Sequence, residues 1–324
     1  MNEEELSRPA ELSAEDGTLR AGRSPLAVAL RRLLRKKIAV AALAFIAVFY
    51  FCGLFAPLVA PHNYTDQNLD KVLAGPSLEH PFGTDRLGRD MLSRVIWASR
   101  TTVVVTVATL LTGGLFLAVG LGLLAGYMGG RVDTAIMRLG EVFFALPGLP
   151  MLIMVNAALG PRVRSWGFLK AMETDLKIQG FPDYFVIFAA LSLFSWVAGS
   201  RIIRSQVLAL RETEYVTAAR AMGASTWRII VHHLLPNVSN IIIVSLSASL
   251  GAIAGTEVAL SWLGVGVQPP TPSFGAMLYD AGFIRSLQTT PQLLLIPAAV
   301  IAALIFSCNL LGDALTDILT PHAR

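Results

Sequence analysis

The side chains best equipped for chemistry in this sequence are few: adjacent His232 and His233, two acids beside apolar runs, Glu141 and Glu257, and a charged series, Asp85, Arg86, Arg89, Asp90 and Arg94. None completes a catalytic set. Neighbouring residues on a helix point about 100° apart, so the paired histidines do not converge on one metal ion, and no nucleophile motif accompanies them. Cys52 and Cys308 both lie inside apolar runs, which leaves neither a zinc spacing nor a disulfide framework. Lys36, Lys37, Lys71, Lys170 and Lys177 all lack the glycine that precedes the lysine of a phosphate-binding loop. No cofactor, metal or catalytic residue is therefore expected on this chain. Glu141 and Glu257 are expected at interfacial depths as hydrated or paired structural groups, the proton-relay alternative being the weaker. The 85–94 series either pairs internally and shapes an outer mouth or stands as a solvated cluster.

The elements that must carry these residues are membrane spans. Of 324 residues, 54% are hydrophobic and 15% charged, against about 25% charged in soluble domains. Mean hydropathy is +0.60. Residues 1–37 read as a tail, disordered over 1–24 and basic at Arg31, Arg32, Arg35, Lys36 and Lys37. A first span follows at 38–60, long enough for about 30 Å of hydrocarbon, and its position argues for a retained anchor rather than a cleaved leader. Next come an outer loop at 61–100 and a core at 101–319 with spans near 101–128, 141–160, 184–203, 237–258 and 290–311. The fold class expected is all-α, a polytopic membrane protein of about six helices. Lysine and arginine favour the side holding the tail, the 127–138 turn and the 201–237 loop, so both termini should be cytoplasmic. Ala118, Gly122 and Gly126 form a small-xxx-small series suited to close helix packing.

The strongest local signal lies at 205–236, between the fourth and fifth spans. Thr213 can cap a short helix, Glu214 suits its positive end, and Gly223 can take the left-handed turn that ends it. Ser225 or Thr226 can start a second helix, which Pro236 should separate from the next span. Ala218, Ala219 and Ala221 keep the first helix slim enough to slot into a partner's groove. The rhythm also fits a DNA-binding helix-turn-helix, but spans close on both sides deny access to a duplex, so no nucleic acid is expected.

This loop resembles the "EAA" loop of the inner-membrane permease subunits of binding-protein-dependent ABC importers: Ala218 and Ala219 are followed by Gly223 and then by Leu235-Pro236. Within that family it is similar to the C-subunit type of the dipeptide, oligopeptide and nickel permeases, through Glu214 to Ser225 and His233 to Asn237. His80 to Arg94 resembles that group's first outer loop, and Leu260 to Gly275 its Gly/Pro-rich outer segment. Thr217 departs from the pattern, which has Glu there, and the 161–183 loop is longer than the family usually carries.

The resemblance implies a type I ABC importer transmembrane domain and half of a translocation pathway for di- or oligopeptides, or for nickel or another small solute. It implies a second permease subunit, two ATPase subunits that bind ATP and magnesium, an extracytoplasmic solute-binding protein, and surrounding membrane lipid in a bacterial plasma membrane. Glu214, Tyr215, Ala218, Ala219, Arg220, Gly223, Ala224, Ser225, Leu235 and Pro236 would then couple the spans to an ATPase. A stand-alone secondary transporter is the competing class, favoured only by the spans and their acids.

Overall fold

A computed structural model describes residues 34, 36–176, 180–282 and 288–319. The tail at 1–24 and Arg31, Arg32 and Arg35 lie outside the described residues. The described chain is helical, with one isolated bridge, Thr84 to Asp90, and no longer strand among those residues. Among the described residues, five helices are long and apolar enough to cross a membrane, giving six spans if one bent pair counts as a span.

Helix α1 (Lys37–Leu54) follows the first apolar run and stops at Phe55, after which short α2 (Ala56–Val59) begins with Pro57 in its first turn. Lys36, just before α1, pairs with Asp317 at 2.7 Å. Gly53 lets α1 approach the next helix closely, since a Cβ there would lie 3.0 Å from the Ser99 backbone.

The second span begins earlier than its uncharged run. Asp90 accepts a hydrogen bond from the Ser93 amide at 2.8 Å and caps α3 (Met91–Thr109). This helix continues through a widened π segment, Leu110–Val119, into α4 (Gly120–Met128). Charge at Arg94 and Arg100 hides the first ten residues from a hydropathy reading, yet Arg94 is buried by its ion pairs.

The region of the third expected span, 141–160, holds parts of two helices, α5 (Gly130–Ala145) and α6 (Gly148–Arg164), bent by 91°. Pro147 sets the bend. It disfavours helical backbone at the preceding residue, and Leu146 stands at φ −88°, ψ 137°. Glu141 forms an exposed pair with Arg138 at 2.9 Å.

After α7 (Gly167–Leu176), helix α8 (Phe181–Leu210) runs beyond its expected 184–203 limits at both ends. The small-residue series packs against it: a Cβ on Gly122 would lie 2.9 Å from Ile203, and one on Gly126 would lie 2.6 Å from Val207. Here Gly serves close approach rather than flexibility.

Two short helices, α9 (Glu214–Ala221) and α10 (Thr226–Ile229), follow. The latter passes through a π segment, Ile230–Leu234, into α11 (Leu235–Trp262), giving one rod of 37 residues. The sequence-based expectation that Pro236 separates the second short helix from the fifth span is therefore not met. The proline sits in the first turn of α11, immediately after hydrogen bonding shifts out of the π pattern, where a missing N–H is tolerated.

Glu257 lies on α11, near the end of that helix, and is fully buried within the chain, which makes it the paired rather than the hydrated group of the two expected alternatives. Thr102 donates to one carboxylate oxygen and Ser261 to the other, both at 2.9 Å, so the acid ties α11 to α3. Helix α12 (Phe274–Ala281), capped by Ser273, and α13 (Gln292–Leu319) complete the described chain. Phe274 is wholly buried against Phe49 of α1 with ring centroids 6.0 Å apart, and Met91, Leu304 and Cys308 belong to the same core.

Candidate functional site

The 211–229 elbow turns at one end of the bundle. Leu210 closes α8, and Thr213 takes the extended conformation of a helix cap at φ −70°, ψ 154°. Its hydroxyl does not cap α9 but donates back to the Leu210 carbonyl at 2.6 Å. Glu214 lies in the first turn of α9 and Arg220 in the last, both matching the helix dipole. Gly223 stands at φ +82° and ends the helix as its sequence position predicts. The Gly223 amide donates to the Arg220 carbonyl and the Ala224 amide to the Ala219 carbonyl, each at 3.0 Å, which satisfies carbonyls that the helix leaves open. Ser225 then starts α10, its hydroxyl oxygen accepting from the Arg228 amide at 3.3 Å.

One face of this elbow is fixed. Val216 and Ala219 are buried against Leu123 of α4, Ile203 and Val207 of α8, and Ile229, Ile230 and Leu234 further along the chain. Full burial of a residue such as Val216 contributes about 1.5–3 kcal/mol before the entropy of ordering is subtracted. Polar contacts add register. Arg211 donates to the Gly126 carbonyl at 3.3 Å and pairs with Glu212 at 2.8 Å, and the Arg220 guanidinium lies 5.7 Å from the Tyr127 ring centre. Behind the elbow, Arg204 of α8 makes a two-pronged pair with Asp133 of α5. Elbow, α4, α5 and α8 are thus joined at one end.

The opposite face is open. Glu214, Tyr215, Ala218, Arg220, Gly223 and Ser225 are exposed, Ala224 is half-buried, and Met222 and Trp227 are 82% and 70% exposed. The alanine pair divides between faces: Ala219 packs inward and Ala218 lies outward. Leu235 and Pro236 lie away from this turn, at the start of α11, with Leu235 half-buried and Pro236 exposed. The sequence-based set omitted Trp227, Met222 and Tyr127. Two large apolar side chains flanking the hinge, on a stretch too polar to need them for its own core, were the available signal.

At the far end of the bundle the charged series pairs rather than standing free in solvent. Asp85 accepts from Arg89 at 2.7 Å, from Arg94 at 2.5 Å and from the amides of Leu87 and Arg89, while Asp280 of α12 reaches Arg94 at 3.3 Å. Nearby, the hydrogen bond from Lys71 holds the Glu79 carboxyl below the ordinary carboxylate range. Between the ends, Gly114, Ala118, Ser195, Gly199, Ser245 and Ser249 help line a cavity of about 400 Å³.

Comparison with known proteins agrees with this arrangement. The sequence pattern of the family described as "binding-protein-dependent transport system inner membrane component" matches residues 118–324, and that of the "N-terminal TM domain of oligopeptide transport permease C" matches residues 24–76. A dipeptide transport system permease protein of Bacillus subtilis is 36% identical over 296 residues, 91% of this chain and 85% of the relative. Another, from Alkalihalophilus pseudofirmus, is 34% identical over 301 residues, 93% of this chain and 91% of its own. A glutathione transport system permease protein of Pectobacterium atrosepticum is 34% identical over 305 residues, 93% of each chain. With its all-helical bundle of five to six candidate spans, the chain belongs to the family of inner-membrane components of binding-protein-dependent transport systems, the membrane subunits of type I ABC importers.

Proposed function

We propose that this chain forms half of the translocation pathway for di- or oligopeptides and that its elbow couples the pathway to a separate ATPase subunit. The observation that carries the coupling role is the two-sided elbow. Val216 and Ala219 seat it on three helices of the bundle, while Tyr215, Ala218, Met222 and Trp227 present an open surface beyond them. A push on that surface is transmitted to α4, α8 and α11 because the buried face is packed rather than loosely tethered. Glu214, Arg220, Gly223, Ala224 and Ser225 shape this contact, with Leu235 and Pro236 marking where the movement passes into α11.

The peptide class rests on the names of the dipeptide and oligopeptide relatives. Glutathione, itself a peptide, belongs to the same chemical class. The second half of the pathway comes from another permease subunit, ATP and magnesium are bound by the ATPase subunits, and an external binding protein delivers the solute. The elbow and both termini face the cytoplasm, in keeping with the basic residues at 201–228.

Site-directed crosslinking tests this directly. In a chain lacking Cys52 and Cys308, a Met222→Cys variant coexpressed with the ATPases should crosslink to an ATPase subunit and should react with a membrane-impermeant thiol reagent only from the cytoplasmic side. Labelling from the outside, or crosslinking to lipid alone with the assembled complex present, contradicts the reading.

A further inference from the structure

At the end of the bundle opposite the elbow, three side chains from separate stretches converge: His62, just after α2; His80, in the following loop; and Asp90, the cap of α3. One ligand atom from each lies within 4.8 Å of the others. His80 and Asp90 are buried and His62 is half-buried. We propose that these three residues form a binding site for a late first-row divalent cation, such as Zn2+, that braces the 61–90 segment against α3.

Ligand chemistry selects the class of ion. Two imidazoles and one carboxylate suit zinc, nickel, cobalt or copper, whereas magnesium and calcium prefer oxygen donors. Geometry is close to what such an ion needs. Metal–ligand bonds of about 2.0–2.1 Å place tetrahedral ligand atoms about 3.3 Å apart. His80 Nδ1 is 2.9 Å from the Asp90 carboxylate, and the set spans no more than 4.8 Å, so the ligand atoms need to move by no more than about 1.5 Å relative to one another to reach that spacing.

The surroundings orient the ligands. His62 Nε2 lies 3.1 Å from the Glu79 carbonyl, a contact that helps fix the ring's orientation. The other Asp90 oxygen accepts from the Ser93 amide at 2.8 Å, and the Ser93 hydroxyl accepts from the His62 amide at 3.0 Å, which ties two of the three stretches together behind the ligands. When the ion binds, neutral His80 carries its one ring proton on Nε2, and its Nδ1 and the facing Asp90 oxygen exchange their mutual hydrogen bond for bonds to the metal. A structural His80–Asp90 pair accounts for two of the three groups but gives no reason for a second imidazole with its ring centre 5.0 Å from the first.

The test uses the full-length chain in detergent, stripped with chelator and free of histidine tags, titrated calorimetrically with Zn2+ and separately with Mg2+. Saturable binding of one Zn2+ in the micromolar range is expected, without matching Mg2+ binding, together with a higher thermal unfolding midpoint. His62→Ala should weaken Zn2+ binding by about tenfold or more. Asp90→Asn keeps a side chain that caps helices well but removes the anionic ligand, so it should also weaken binding. His232→Ala/His233→Ala should not alter it. Absence of saturable Zn2+ binding below millimolar concentration, unchanged binding in both His62→Ala and Asp90→Asn, or loss of binding in the His232/His233 double variant overturns the proposal.

Discussion

At Gly223 the backbone stands at φ +82° and, apart from its two chain neighbours, nothing lies within 4 Å of where a Cβ would project. A side chain there meets open space, so its intrinsic cost is the left-handed backbone alone, about 1 kcal/mol. Gly223→Ala should lower the unfolding midpoint only slightly, as thermal denaturation in detergent would show; a collapse in stability would mean that the turn is packed. Glu257 is the opposite case. Glu257→Ala leaves Thr102 and Ser261 without their acceptor and opens a cavity, for an expected loss of about 2–5 kcal/mol. Glu257→Gln fills the space and should cost far less, so equal losses for the two variants would show that shape rather than hydrogen bonding holds α11 to α3. Gly223 and Ser225 were legible in the sequence because a left-handed turn and a helix cap each demand a narrow set of residue types. Thr213 was not: its hydroxyl chooses the Leu210 carbonyl over the helix amides, a choice between two nearby partners that residue type does not decide. The choice of pairing over hydration at Glu257 escaped for a related reason, because its hydroxyl partner Thr102 lies 155 positions away.

The elbow as an element depends on its inward face. Val216→Asp places an unpaired carboxylate among Ile203, Val207 and Ile229, at a cost of several kcal/mol that detaching α9 relieves. The expected outcome is a folded bundle with an elbow newly open to protease, read by limited proteolysis against the parent chain; an unchanged digest contradicts the seating. Gly126→Leu tests the helix pair in the same way. A Cβ there would already approach Val207 within 2.6 Å, so α4 and α8 must separate and the variant should lose thermal stability. Hydropathy located the spans but not their ends. The amphipathic start of α3 carries Arg94 into a buried ion pair, and the bend at Leu146–Pro147 lies within a run that reads as uninterrupted. Long-range pairing and a single proline's effect on its neighbour decide these boundaries, and neither enters an average over a window. The small-xxx-small series was readable because close approach leaves only small residues possible, although its partner, α8, was not.

Across the whole molecule, polar order gathers at the two ends. At one end, Arg211 and Arg220 fasten the elbow to α4, and Arg204 fastens α8 to α5. At the other, Asp85, Arg89, Arg94 and Asp280 join the loop before α3 to α12. Continuous rods of 38 and 37 residues run between them, each containing a π segment. Such rods carry displacement from one end toward the other provided that the elbow is held at a fixed angle. The most direct test of this coupling is the ratio of peptide transported to ATP hydrolysed by the complete importer in proteoliposomes, with the parent chain and with Gly223→Asp. Because that site is open, the variant should assemble and its ATPases should continue to turn over, while uptake per ATP falls by about tenfold or more. An unchanged ratio in a fully assembled Gly223→Asp complex would contradict the elbow's role as the link between motor and pathway.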